Sequence, residues 1–148
     1  MENLNFLPII VAALIPTIVG FIYYNPKVLG TAWMNSLGKT EDELKEGFNM
    51  ALVTIVGLVM SFLLAFFVNI VIEEIHKTVN DAGELVMGSF HTFKHGAFHG
   101  LLLGLFIAMP IIVTNGMYER KSWKNIWINV GYWCITIALI GGLTDAWN

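Results

Sequence analysis

The residues of this chain whose types and spacing could do chemistry are its histidines, three of which, His91, His95 and His99, recur at four-residue steps. On a helix those steps keep the three rings within about 80° of one another around the axis. Glu73, Glu74, His76, Asp81 and Glu84 are expected on the same side of the molecule. Imidazole and carboxylate side chains together suit a divalent transition metal, zinc, nickel or copper rather than magnesium, or a proton relay. The candidate metal ligands are therefore His91, His95, His99, Glu73 and His76. Glu73 and His76 have the Glu-x-x-His spacing of carboxylate-bridged metal helices, but that architecture repeats the motif and adds further glutamates. Here it occurs once. The histidine row also lacks the adjacent glutamate of H-E-x-x-H metalloproteases. The simpler alternative is a set of neutral histidines satisfied by backbone carbonyls or water. No pairing of nucleophile and base can be named, so the residues do not point to an enzyme.

The elements that must position these side chains are apolar helices. Stretches approximating residues 6–24, 51–74, 90–115 and 124–145 are each long enough to cross a hydrocarbon core about 30 Å thick, which takes roughly 20 helical residues. The fold class is thus all-α, a polytopic membrane protein of four helices in a compact bundle. Residues 1–148 form a single transmembrane domain with short loops and no room for a soluble catalytic domain. Composition agrees: 56% of residues are hydrophobic and 13% charged, where soluble domains carry about 25% charged residues. The partner implied throughout is the lipid bilayer. A net charge of -3 without a basic stripe excludes a nucleic-acid partner. Cys134, the single cysteine, leaves no disulfide framework within the chain.

Lys and Arg beside the spans indicate orientation, because positively charged loops stay in the cytoplasm. Lys27, Lys39, Lys45, Arg120, Lys121 and Lys124 fall in the first and third connections, against Lys77 and Lys94 on the opposite side. Both termini are then outside, and loops 25–50 and 115–124 are cytoplasmic. The opening residues lack a Lys or Arg n-region and a convincing cleavage site, so the first apolar stretch reads as a retained span.

The third span carries a ladder of small residues, Gly88, Thr92, Gly96, Gly100, Gly104 and Ala108, one every fourth position. Such a stripe lets two membrane helices approach closely. Gly57, Ser61 and Ala65 on the second span offer a matching stripe, followed at the same spacing by Asn69. The ladder is expected to pack within the bundle, and a self-association surface is the rival use. Pro110 is expected to kink the third span. In the fourth, Asn125, Asn129 and Trp133 share a face that offers hydrogen bonds between helices. In the first connection, Thr40 and Glu43 have capping-box spacing, and the helix they start is expected to run through Leu44 and Phe48 into the second span.

The run Tyr23-Tyr24-Asn25-Pro26, then Gly30, Ala32-Trp33-Met34 and Gly38, with Asn115 to Arg120 and Asn129-Val130-Gly131-Tyr132 before a Gly-rich, Trp-containing end, resembles the small bacterial membrane proteins grouped as domain of unknown function 1761. The resemblance extends over nearly the whole chain. It implies a four-helix protein of the bacterial inner (cytoplasmic) membrane and supplies no activity, substrate or catalytic residue. The use read from the sequence is an accessory or structural subunit that binds a larger membrane complex or forms a homo-oligomer; the alternatives are a small oligomeric cation or proton channel or transporter, and a metal-binding membrane protein.

Orientation is testable in a Cys134→Ser background by adding Asp81→Cys or Lys39→Cys. A membrane-impermeant maleimide is expected to label Asp81→Cys, and not Lys39→Cys, from outside intact cells; the reverse pattern inverts the topology.

Overall fold

Four apolar helices, Phe6–Tyr23, Met50–His76, Phe93–Tyr118 and Trp123–Trp147, are long and apolar enough to cross a membrane, and they make the chain an all-α polytopic bundle. The computed structural model describes residues 5–88 and 91–147; the expected start of the third span, at 90, lies outside them. The first span is two helical stretches, Phe6–Ala12 and Ile15–Tyr23. The seam precedes Pro16, which has no N–H to return to the preceding turn. Its carbonyl accepts instead from the Tyr132 hydroxyl at 2.8 Å, tying the seam to the fourth span.

The fourth span forms the centre of the bundle. Its buried Ile137 and Ile140 meet Ile9 and Ala12 of the first span and Ala65, Val68 and Ile72 of the second. A smaller cluster joins Ile126, Val130 and Cys134 to Leu105, Met109 and Ile112 of the third. Many apolar side chains face outward, among them Phe21, Ile55 and Phe106, as expected where the solvent is lipid rather than water.

The small-residue ladder packs on the fourth span and not on the second. A Cβ added at Gly96 would strike Asp145 and the carbonyl of Gly141; one at Gly100 would strike the Ile137 carbonyl and come within 2.9 Å of Ala138 Cα; one at Gly104 would lie 2.9 Å from Cys134 Cα. The stripe is shorter than its sequence period. Thr92 is the N-cap of the third helix, its hydroxyl accepting from the His95 N–H at 3.2 Å, and Gly88 lies ahead of that helix, donating to the His76 carbonyl at 2.9 Å. Ala108 lines a groove. On the second span Gly57 has nothing within 4 Å of an added Cβ, Ser61 and Ala65 are buried, and Asn69 donates to Glu73 on its own helix.

Three local outcomes differ from the periodic pattern. Thr40 and Glu43 do form the capping box, with the Glu43 carboxylate accepting from Thr40 N–H at 2.7 Å, and those Thr40 donors hold the Glu43 carboxyl below its ordinary range. The helix nevertheless ends at Lys45: Glu46 is extended, Gly47 has φ +70°, and Asn49 caps a new helix at Met50. Ahead of Pro110 the third span widens through Gly104–Ala108, where Met109 N–H reaches back five residues to Gly104 O. A π turn of this kind re-registers a helix near a residue that lacks its own donor. Lastly, the second connection contains a hairpin of β1 (Lys77–Val79) and β2 (Leu85–Met87), which the sequence pattern did not single out.

Because the Gly100 contact is backbone against backbone, Gly100→Leu is expected to destabilise the bundle by roughly 3 kcal/mol or more through overpacking. Denaturant titration of the protein in mild detergent reads it. A midpoint unchanged from the parent would place that face towards lipid.

Candidate metal centre

All four histidines converge at the end of the bundle that carries the hairpin. His76 is the last residue of the second span; His95 and His99 lie on the first two turns of the third; His91 precedes the N-cap Thr92. The His76 ring stands 4.6 Å from that of His95, 5.0 Å from His99 and 5.4 Å from His91, centre to centre. The His95 and His99 rings meet at their Nε2 atoms, 3.1 Å apart and within hydrogen-bond distance. One ligand nitrogen from each of His76, His95 and His99 lies within 4.8 Å of the others.

The carboxylate of the cluster is Asp145, from the last turn of the fourth span. It is 1% exposed. Its Oδ1 accepts from His76 Nδ1 at 2.7 Å, and its Oδ2 accepts from the Thr92 N–H at 3.2 Å. His91 Nδ1 is 3.2 Å from both Oδ1 and the Asp145 carbonyl, a shared donation. An ionised carboxylate in such a site is tolerable only when hydrogen-bonded, since each unpaired buried charge costs several kcal/mol. Three donors meet it here. Their direction also sets the tautomer: with the proton of both His76 and His91 on Nδ1, each Nε2 keeps its lone pair. Both Nε2 atoms are buried, with no hydrogen-bond partner among the described residues.

Gly96 is what brings the carboxylate there. Only a glycine lets the Asp145 side chain and the Gly141 carbonyl come so close to the third helix, and one turn earlier Thr92 leaves its N–H directed at the acid.

The arrangement fits a transition metal. Tetrahedral zinc with Zn–N bonds of about 2.05 Å sets its ligand nitrogens about 3.3 Å apart, and the rings behind them about 5 Å apart. The three rings, 4.6 to 5.0 Å apart, come near the second spacing, and the His95 and His99 nitrogens near the first. A histidine ligand whose second nitrogen donates to a carboxylate is the usual outer-shell support of such ions, fixing the ring and raising its basicity. His76, Asp145, His91 and Thr92 supply that support. His76, His91 and Asp145 also lie mutually within 4.8 Å, but their short separations are those of the hydrogen bonds themselves, which accounts for that closeness without an ion.

Measured against the sequence reading, His76, His95 and His99 stand together, His91 stands behind Asp145, and Glu73 is displaced. Glu73 accepts weakly from Asn69 at 3.5 Å, Glu74 is exposed and paired with Lys77, and Asp81 and Glu84 are exposed on the hairpin, Glu84 accepting from Asn80. His91 is outside the helix, so the eight-residue periodicity that linked it to His99 is not what places it. Asp145 was missed. Its signal was the small face Cys134, Ala138 and Gly141 at four- and three-residue steps, which reaches Asp145 after one further step of four.

At the other end, the expected polar face of the fourth span forms a network: Tyr24 donates to Asn129 Oδ1 at 2.7 Å, Asn129 to Asn125 Oδ1 at 3.0 Å, and Asn125 to Ser36 Oγ at 2.9 Å. It anchors the first connection.

Fold and site together define a four-span membrane protein that gathers its histidines around a buried carboxylate at one end of the bundle. The chain belongs to the family described as protein of unknown function DUF1761, whose model matches residues 7–144. No curated protein and no solved structure matches it.

Proposed function

We propose that the chain is a transition-metal-binding protein of the bacterial cytoplasmic membrane, holding zinc or a similar divalent ion on His76, His95 and His99 with Asp145 behind His76. The observation that carries this reading is the buried His76 Nε2, unpartnered among the described residues while its Nδ1 is held by Asp145. The distribution of Lys and Arg supports both termini outside, which turns the centre away from the cytoplasm. Binding is favoured over conduction, because inward of His99 the third span continues as Leu101, Leu102, Leu103, Leu105 and Phe106. A single chain of this composition offers a cation or proton no polar route past that stretch.

A second reading, a self-associating protein or accessory subunit, draws on a groove of about 680 Å³ between the second and third spans, walled by Gly57, Ser61, Leu103, Ile107, Ile111 and Trp133. The bare Gly57 suits the close approach of a helix from a second copy. The two readings are compatible, since groove and centre lie at different depths.

Zinc is expected to raise the thermal midpoint of tag-free protein in detergent at pH 7.5. Ligation needs unprotonated imidazoles, so the rise is expected to shrink at pH 5.5, below the ordinary histidine range near 6.5. His95→Ala and His99→Ala are expected to abolish it, and Asp145→Asn to weaken zinc affinity about 10- to 100-fold. A zinc-dependent rise retained in both alanine variants would move the site off the third span.

For the groove, Gly57→Leu is expected to shift native mass spectra in mild detergent from dimer or higher towards monomer while leaving the midpoint of the monomer unchanged. Spectra that are monomeric for the parent protein would dismiss self-association.

A further inference from the structure

We infer that the centre keeps one coordination position open to a small ligand from solution, water, hydroxide or another monoanion, instead of closing it with a fourth side chain. The inference rests on the three-histidine reading above and follows from where the other donors of the molecule are committed. His91, the only remaining histidine, has its Nδ1 on Asp145 and does not join the set formed with His95 and His99. Asp145 cannot turn onto the ion cheaply. Its two oxygens answer the Nδ1–H groups of His76 and His91 and the N–H of Thr92, and withdrawing them leaves donors unsatisfied in a buried site.

Among the described residues, the other ligand types lie outside the three-histidine set. Cys134 lies beside Gly104, five residues along the third helix from His99, or about 7.5 Å at 1.5 Å per residue. Glu74 pairs with Lys77 on the exposed side. Glu73 stands within reach of Asn69, one turn back along the second span, and its carboxylate is outside both ligand groups among the described residues.

His95 and His99 are only half-buried, so protein does not seal the set on every side. Structural zinc sites are closed by four protein ligands, whereas sites with three protein ligands hold water or substrate in the fourth position. A bound zinc ion lowers the pKa of such a water to about 7. With zinc held by His76, His95 and His99, the centre would acidify a bound water and offer an exchangeable place for anions, which sets it apart from a staple that only joins helices.

The test uses the whole protein in detergent, loaded with Co²⁺ as a spectroscopic substitute for zinc and titrated with azide. Cobalt bands in the visible range are expected to shift saturably with azide in the parent protein, and to the same extent in Glu73→Ala. Bands that ignore azide in the parent but respond in Glu73→Ala would show that Glu73 closes the site, and bands that ignore it in both would show closure by another group; either result overturns the open position while leaving the metal centre standing. If the parent protein develops no cobalt bands that are lost in His95→Ala and His99→Ala, the three-histidine centre itself fails, and the open position with it.

Discussion

The backbone contact between the third and fourth spans is the constraint on which the rest of the molecule depends. At Gly96, Gly100 and Gly104 the third helix presents no side chain, and the fourth presents Gly141, Ala138 and Cys134 against it. In lipid there is little hydrophobic gain from bringing two apolar helices together, so close van der Waals contact and interhelical hydrogen bonds must hold them. That closeness has a chemical consequence at one end. It sets the Asp145 carboxylate within hydrogen-bond reach of a histidine from the second span and of two groups just ahead of the third, so that three of the four spans share one polar cluster.

Such a cluster is costly by itself. A carboxylate and four imidazoles near a bilayer interface are stabilised only if their donors and acceptors find one another, and each hydrogen bond to the charged group contributes on the order of 1.5–3 kcal/mol. Asp145 is satisfied by three donors, whereas the Nε2 atoms of His76 and His91 are not satisfied by protein groups among the described residues. The carboxylate is thus answered on both oxygens while the His76 and His91 Nε2 atoms are not, and that asymmetry is the observation from which the metal-binding proposal starts.

The opposite end is built on other physics. Tyr24, Asn129, Asn125 and Ser36 form a chain of neutral hydrogen bonds, and Tyr23, Tyr24 and Tyr132 pack with ring centres between 5.2 and 5.8 Å apart. These groups satisfy one another and fix the first connection to the fourth span. The residues that carried the family resemblance concentrate here, so the resemblance follows the scaffold at this end and not the histidines at the other.

The existence, length and type of the four spans were determined by the sequence alone, because roughly 20 apolar residues in a row have one stable state in a bilayer, a helix with every backbone group bonded internally. The capping box at Thr40 and the ladder at Gly96, Gly100 and Gly104 were legible for the same reason, since each is a local rule read within a few residues. Which helix the ladder would face was not legible: the second span offers Gly57, Ser61 and Ala65 at the same spacing as the fourth span's small residues, and periodicity cannot choose between two matching stripes. The choice belongs to packing, and with it went the identity of the carboxylate. Glu73 was near His76 in sequence, but a helix turns it down its own side, while Asp145, 69 residues away, is brought to His76 by a glycine on a third helix. Hydrogen bonds formed across that distance depend on the relative placement of whole spans, so only the tertiary structure could decide them.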